Sequence, residues 1–170
     1  LSMENTIFLG EDIANTTSQT PGEYGGAFKV SGDLSDLYEG RVLNTPIAEA
    51  SIIGFAVGAA LNGYRPVVEI MFGDFLSLGF DQILQQVSKI PEMYGRKINL
   101  PLIIRTPMGG RRGYGPTHSQ NIEKHFLFLP NIRMIALNSY TNPIDIYKSL
   151  INSDYMPTIV IEDKIGYTKK

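Results

Sequence analysis

The sequence of 170 residues contains no cysteine and no tryptophan, and it has only two histidines. The absence of cysteine excludes disulfide bonds and thiolate metal ligands, and it is consistent with a reducing compartment. Acidic and basic residues nearly balance, with a net charge of −2, so a basic surface for nucleic acid is not expected. The uncharged stretch 50–61 ends at Asn62-Gly63, well short of the roughly 20 residues that a membrane-spanning helix needs.

Short apolar runs alternate with helical patterns along the rest of the chain. Strands are predicted at 6–10, 41–44, 66–71, 100–105, 133–137 and 158–162, and helices at 46–61, 75–94, 119–129 and 143–153. In several strands the apolar residues are continuous rather than alternating, as in a parallel sheet that is covered on both faces. We therefore predict one α/β domain over residues 1–170, with a doubly wound, mostly parallel sheet and helices on both faces.

One carboxylate stands out in the segment 41–60. Thr45 and Pro46 predict the N-cap and the first residue of a helix. Glu49 then falls in the first turn, where the helix dipole favours an anion. Because 50–61 contains no charge, we expect this helix to be buried nearly all round. A glutamate at the start of such a helix lies where open α/β sheets bind ligands, and a glutamate that only stabilises the dipole is the alternative.

Six short segments then follow one another in a fixed order. They are TPIAE (45–49), GYRPVVEI (63–70), DF (74–75), FDQI (80–83), PLIIRTP (101–107) and THSQ (117–120). Together they resemble the beta subunit of the thiamine-diphosphate-dependent decarboxylase component of 2-oxo acid dehydrogenase complexes. That family includes the pyruvate, branched-chain 2-oxo acid and acetoin enzymes. The resemblance implies the pyrimidine-binding domain of the transketolase-like superfamily and thiamine diphosphate as the cofactor.

The resemblance implies roles for three side chains. Glu49 matches the glutamate that hydrogen-bonds the aminopyrimidine ring and keeps a ring nitrogen protonated. Phe75 matches the aromatic residue that stacks on the pyrimidine face, and His118 matches the active-site histidine near the reacting carbons. Glu49 and His118 are thus the predicted catalytic residues, and Glu49 and Phe75 the predicted cofactor-binding residues. A carboxylate suits this task because charge-assisted hydrogen bonds strengthen at low dielectric.

The superfamily motif that holds diphosphate and magnesium, Gly-Asp-Gly followed later by Asn-Asn, does not occur in the sequence. In the family this motif belongs to an alpha subunit, so magnesium is expected on a partner chain and this chain is expected to be inactive alone. The implied partners are that alpha subunit, a second beta subunit and the lipoyl acyltransferase component. The implied assembly is a heterotetramer of two alpha and two beta chains. The family's beta subunit also has a C-terminal domain, which these 170 residues do not include.

Some family members hold a structural potassium ion, largely through backbone carbonyls. The matching positions are Leu102, Ile103, Ile151, Asp154 and Met156. Of these residues, Asp154 alone offers a side-chain ligand.

Departures from the family pattern leave the 2-oxo acid substrate open. Asn44 stands where aspartate is common, and Phe128 stands where many members have histidine. Arg111 and Arg112 lie in a glycine-rich loop as contacts for a substrate carboxylate or a partner, with a solvated loop as the alternative. We expect a cytoplasmic protein, with the mitochondrial matrix as the other compartment considered.

Two other functions are alternatives to that of a dehydrogenase subunit. One is another transketolase-like enzyme, such as a split transketolase or a deoxyxylulose-phosphate synthase. The other is a non-catalytic assembly domain, against which the retention of Glu49, Phe75 and His118 together argues.

A strip of small residues follows Glu49, since Ala50, Gly54 and Gly58 recur every four residues. Glycine within a helix costs about 1 kcal/mol relative to alanine, so close approach of another backbone is expected there. A partner subunit and the chain's own sheet are the two candidates for that backbone.

Overall fold

The computed structural model describes residues 3–15, 24–153 and 156–168. Its strands are β1 (Thr6–Gly10), β2 (Val42–Asn44), β3 (Arg65–Glu69), β4 (Ile103–Met108), β5 (Arg133–Ala136) and β6 (Thr158–Asp163). They form one sheet in the order β2-β1-β3-β4-β6-β5, and every neighbouring pair is parallel. Strands β1, β3 and β4 are buried along their whole length, which explains why their apolar residues do not alternate with exposed polar ones. The predicted doubly wound α/β fold is confirmed.

Helices cover both faces of the sheet. The α-helices are α1 (Leu34–Leu37), α2 (Glu49–Leu61), α3 (Ile90–Met93) and α4 (Pro143–Ser153). Short 3₁₀ segments lie at Gly73–Gly79, Pro116–His118, Glu123–His125 and Gly166–Thr168, and a π-helical segment lies at Gln82–Val87. Alternate residues of β1 enter different cores, Ile7 and Leu9 packing with α2 and Phe8 with α4. In the described residues, no helix has the length and apolarity that crossing a membrane requires.

Helix α2 begins three residues later than predicted. Ala48 occupies the N-cap position, and no side chain caps the helix. The Thr45 N–H instead donates to the carbonyl of Gly10 at 3.0 Å, so the chain stays beside β1 for one more residue. The Thr45 hydroxyl is buried without a hydrogen-bond partner among the described residues. The prediction that Thr45 caps the helix was therefore wrong, whereas Glu49 does lie in the first turn.

Helix α2 is also less buried than its sequence suggests. Ile52, Ile53 and Ala56 are buried, but Phe55 is 61% exposed. The small-residue strip divides into two parts: an ideal Cβ on Gly54 would lie 3.1 Å from Gln82 Oε1, whereas one on Gly58 would meet no atom within 4 Å. The close neighbour of Gly54 is thus the side chain of Gln82 and not another backbone, and Gly58 borders open space.

The helix predicted at 75–94 is broken into three pieces. The carbonyl of Ile83 accepts the N–H of Ser88, five residues on, which is the π-helical spacing. The Ser88 hydroxyl donates a hydrogen bond to the carbonyl of Leu84 at 2.7 Å. Pro91 has no N–H to continue the regular hydrogen bonds of an α-helix. These local bonds replace the single helix.

The helix predicted at 119–129 is wrong, since this stretch contains only the 3₁₀ turn Glu123–His125. The side chain of Asp74 accepts a hydrogen bond from the backbone N–H of Gln120, which turns the chain away from a helical start.

Strand β4 lies three residues later than predicted and includes Pro107. The carbonyl of Arg105 accepts the N–H of Ile70, so Pro107 faces the same side of β4, beyond the last paired residue of β3. The missing N–H of this proline therefore breaks no ladder bond.

Candidate active site

The carboxyl ends of the central strands gather buried charged side chains at one edge of the sheet. These are Glu11, Glu49, Glu69, Asp74, Arg105, Glu162 and Lys164. Charged groups are rarely buried unless they are paired or functional, and this edge is where open α/β sheets bind ligands.

Two glutamates meet at the start of α2. Glu49 is the first residue of the helix, and Glu11 follows β1 directly; each is 5% exposed. Burial, then the charges of Glu49 and Asp12, raise the pKa of Glu11 to about 7. Among the described residues, Glu11 Oε1 has no hydrogen-bond partner. Near neutral pH the carboxyl group of Glu11 can therefore gain or lose a proton, and its Oε1 is free to accept a hydrogen bond.

Sequence reasoning missed Glu11. The signal for it was its place directly after β1, at the same edge of the sheet as Glu49.

The imidazole of His118 lies against two phenylalanine rings. Its centroid is 4.8 Å from that of Phe72 and 5.0 Å from that of Phe75, both edge-on. Thr117 Oγ1 lies 2.8 Å from His118 Nδ1. The structure thus brings together Phe75 and His118, two of the three predicted site residues.

Helix α2 connects Glu49 to these rings. It packs on the 3₁₀ segment Gly73–Gly79, which carries Phe75. The packing is close because an ideal Cβ on Gly79 would lie only 2.3 Å from Ile53 Cδ1 and 3.7 Å from the carbonyl oxygen of Glu49. Glu49 and Phe75 therefore lie on two elements in direct contact.

An aromatic wall continues beyond Phe72. Phe28 packs on Phe72, Tyr114 and Tyr167, with ring centroids 5.6, 5.9 and 5.2 Å away. The guanidinium of Arg112 lies 6.0 Å from the centroid of Phe28. This wall forms an apolar side to the charged edge.

Asp74 anchors the segment that follows His118. Its Oδ1 accepts hydrogen bonds from the backbone N–H of Gln120 at 3.2 Å and from Gln120 Nε2 at 2.8 Å. Its Oδ2 is buried and has no partner among the described residues. The GDF sequence placed Asp74 at a strand end, but its bonds to Gln120 could not be read from the sequence.

Arg105 joins the ends of three strands. Its guanidinium is buried and paired with Glu69 of β3 and Glu162 of β6. The hydroxyls of Tyr147 and Tyr167 donate to Glu162. Burial raises the pKa of Glu69 although Arg105 opposes it. For Glu162 burial acts in the same direction, but Arg105 and both tyrosines prevail and lower the pKa. This network holds the edge of the sheet together.

A cavity of about 760 Å³ lies beside this network on the α4 face. Three of its polar lining residues, Arg105, Tyr147 and Glu162, hydrogen-bond with one another. The cavity does not include Glu49, Phe75 or His118. The three predicted site residues therefore lie outside this cavity, on the side of the sheet that carries α2.

The chain matches the family model described as "Transketolase, pyrimidine binding domain" over residues 2–170. It belongs to this family. The family implies thiamine diphosphate as the cofactor whose pyrimidine is bound, in agreement with the residues gathered at the strand ends.

Relatives with curated names agree with the family. The chain is 38% identical over 169 residues to "Pyruvate dehydrogenase E1 component subunit beta" of Gracilaria tenuistipitata var. liui, covering 98% of this chain and 50% of the relative. It is 39% identical to the protein of the same name from Porphyra purpurea, covering 94% of this chain and 46% of the relative. The chain thus spans about half the length of these relatives.

A solved structure, "Split gene transketolase, inactive beta4 tetramer", has a similar fold. Its TM-score is 0.67 at 20% identity, over 94% of this chain and 46% of that chain. At this identity the likeness supports the fold alone. The relatives are named as subunits and this neighbour as a tetramer, which suggests a multi-subunit assembly for the family.

The positions that match the family's potassium site lie close together where they are described. Leu102, Ile103, Ile151 and Met156 line one cavity of about 10 Å³, while Asp154 lies outside the described residues. In the described part of the chain, no cluster of three or more histidine, aspartate or glutamate residues is placed to hold a metal. The potassium site stays a prediction.

One departure from the family pattern has a clear structural role. The Asn44 amide accepts the N–H of Ala14 at 2.8 Å and donates to the carbonyl of Ala14 at 3.0 Å. An ionised aspartate could only accept. Phe128 is exposed beside Phe80, and Arg111 is exposed with a φ of 65°.

Proposed function

We propose that this chain is the pyrimidine-binding domain of the beta subunit of a thiamine-diphosphate-dependent 2-oxo acid dehydrogenase, of the pyruvate dehydrogenase kind. The single observation that carries the proposal is a buried glutamate at the start of α2, next to the element that bears Phe75, whose ring contacts that of His118. The curated relatives support the same class of enzyme. When bound, the cofactor supplies the electron sink for decarboxylation.

Glu49 fits the polar edge of a pyrimidine. Its carboxylate is buried at a helix N-terminus, and the neighbouring Glu11 leaves an oxygen unbonded within the described residues. A ring nitrogen and an exocyclic amine would provide the partners that this corner lacks. Glu49 would then hold a proton at the ring nitrogen through a charge-assisted hydrogen bond.

Phe75 and His118 fit the remaining roles. Phe75 is half-buried, as expected of a ring that stacks on a planar group. His118 is half-buried and follows the glycine-rich loop, so its imidazole would orient substrate and transfer a proton near the reacting carbons. The two assignments support each other because the rings are in contact.

Partner chains would complete the site. The sequence lacks the diphosphate and magnesium motif, so an alpha subunit would hold both groups. A second beta subunit and a lipoyl acyltransferase component would complete a heterotetramer and its complex. A groove of about 520 Å³ supports an interface near α2, with Leu43, Phe55, Gly58 and Tyr64 in its lining. We place the assembled enzyme in the cytoplasm.

Turnover of a 2-oxo acid with an artificial electron acceptor tests the proposal. We expect no turnover from this chain alone, and turnover when the matched alpha subunit, thiamine diphosphate and magnesium are added. A chain that turns over a 2-oxo acid by itself would refute the division of the site between two subunits. Transfer of a two-carbon unit between sugars would favour a transketolase-like enzyme instead.

A further inference from the structure

Lys164 is a buried cation that the proposed chemistry does not use. It follows β6 directly, and its side chain is 0% exposed. Lysine is almost never fully buried without a partner, because an ammonium loses its hydration in the interior. The place of Lys164 therefore needs a structural or functional reason.

The ammonium group of Lys164 lies against the backbone and the packing surface of His118. Its Nζ donates a hydrogen bond to the backbone carbonyl of His118. The same Nζ lies 4.8 Å from the centroid of Phe72 and 5.9 Å from that of Tyr114, within cation–π range. Phe72 is one of the two rings that hold the imidazole of His118. Lys164 thus contacts both the backbone of His118 and its packing surface.

Asp74 balances the charge of Lys164. Burial lowers the pKa of Lys164, and the negative charge of Asp74 opposes that shift. Asp74 also holds Gln120, two residues after His118. The histidine segment is therefore held on one side by a residue from the end of β6 and on the other by a residue that follows β3.

We propose that Lys164 is a positioning residue for His118. Its ammonium fixes the His118 carbonyl while Asp74 fixes Gln120, and together they keep the imidazole against Phe72 and Phe75. The positioning of the imidazole by Lys164 is a property of this chain alone. The catalytic consequence rests on the proposed function, in which His118 acts on the substrate.

Nuclear magnetic resonance of the chain, labelled with ¹⁵N at histidine and lysine, tests this positioning. The chain has only two histidines, so exposed His125 serves as an internal reference for His118. In Lys164→Met we expect the ring signals of His118 to lose their ring-current shifts and move toward those of His125. The control Lys148→Met, which removes an exposed lysine, should change neither signal. Unchanged His118 signals in Lys164→Met would overturn the proposal.

A second measurement needs no variant and holds if Lys164→Met fails to fold. In the wild-type chain, one lysine ammonium should exchange slowly with water and show Overhauser effects to the rings of Phe72 and Tyr114. If every lysine ammonium exchanges freely, the proposal is wrong.

The catalytic consequence is measured in the assembled enzyme. Lys164→Met should lower kcat roughly 10- to 100-fold, as expected for a displaced reacting group, with unchanged cofactor affinity. Its effect should not exceed that of His118→Ala. A changed His118 spectrum with unchanged kcat would contradict the role of His118 in the proposed function, and would leave the positioning by Lys164 in place.

Discussion

Glu49 and Glu11 are identical side chains that lie in different electrostatic surroundings. Both are buried, but Glu49 begins a helix, where the dipole stabilises its negative charge. Glu11 follows a strand, and its burial together with the nearby charges of Glu49 and Asp12 raises its pKa to about 7. A buried carboxyl group that titrates near neutral pH is typical of sites that move protons.

Glu49→Gln should slow activation of the cofactor in the assembled enzyme by roughly 10²- to 10⁴-fold, the usual loss for an acid–base group. Glutamine has nearly the same shape but carries no negative charge to stabilise a protonated ring nitrogen. Proton exchange at the thiazolium carbon is the measurement. The matched control Glu92→Gln, at an exposed position, should exchange like the wild type. Near wild-type exchange in Glu49→Gln would refute the assigned role.

Glu11→Gln should change how the stability of the chain depends on pH. The pKa of Glu11 rises from 4.5 to about 7 on folding, so the folded chain binds more protons between these values. The free energy of unfolding therefore falls as the pH rises through this window. Above pH 7 the buried charge costs on the order of 3 kcal/mol, which glutamine would remove.

Urea unfolding at pH 5 and at pH 8 measures this difference. Glu11→Gln should be more stable than the wild type at pH 8 and should depend less on pH. The exposed control Glu39→Gln should keep the wild-type dependence. If Glu11→Gln loses stability with pH as steeply as the wild type, another group causes the loss.

Helix α2 and the 3₁₀ segment Gly73–Gly79 form the element-scale frame of the site. Glycines in these elements serve different purposes, although the sequence shows them alike. An ideal Cβ on Gly73 would lie 2.2 Å from Met108 Cγ, whereas one on Gly58 would meet no atom within 4 Å. The absence of a side chain is thus required for packing at Gly73 but not at Gly58.

Gly58→Ala and Gly73→Ala should therefore change stability in opposite directions. Alanine at position 58 should raise the free energy of unfolding of the chain by about 1 kcal/mol, because glycine is a poor helix former. Alanine at position 73 should lower it by about 1–3 kcal/mol through overpacking against buried Met108. Chemical denaturation of both variants beside the wild type measures this, and two changes of the same sign would contradict the packing described.

For two elements, the sequence predicted both end residues correctly. Strand β1 and helix α4 have the predicted bounds, because an apolar run and an amphipathic repeat each leave one way to bury the chain. The stretch 119–129 misled the prediction. Its Ile122, Phe126 and Leu129 are spaced as in a helix and are buried, but short turns accomplish that burial. Periodicity predicted which side chains are inside, not the backbone that puts them there.

The candidate site could be predicted in part for a similar reason. Glu49, Phe75 and His118 were predicted from their motifs, and in the structure the elements that carry them pack together. Lys164 was not predicted as a site residue, because the sequence Glu162-Asp163-Lys164 is typical of a solvent-exposed turn. Its burial depends on contacts with residues 46 or more positions away, which no local pattern records.

At the scale of the whole molecule, the parallel sheet explains why these residues meet. Strands β1, β3, β4 and β6 all end at one edge, so segments distant in sequence converge there. In the proposed function, the described chain would supply carboxylates and rings for the pyrimidine half of the cofactor. A second chain would supply the diphosphate half, whose motif does not occur in this sequence. The exposed Phe55 beside Gly58 is consistent with such an assembly.

Titration calorimetry with thiamine diphosphate and magnesium tests this account most directly. The cofactor is titrated into this chain alone, into the matched alpha subunit alone, and into their mixture. We predict saturable binding with unit stoichiometry per alpha–beta pair in the mixture, and weak binding to either chain alone. Replacing Glu49 by glutamine in the mixture should weaken binding, whereas Glu92→Gln should not. Tight binding by this chain alone, or equal binding by the alpha subunit with and without it, would contradict the claim that this chain holds the pyrimidine half of the cofactor.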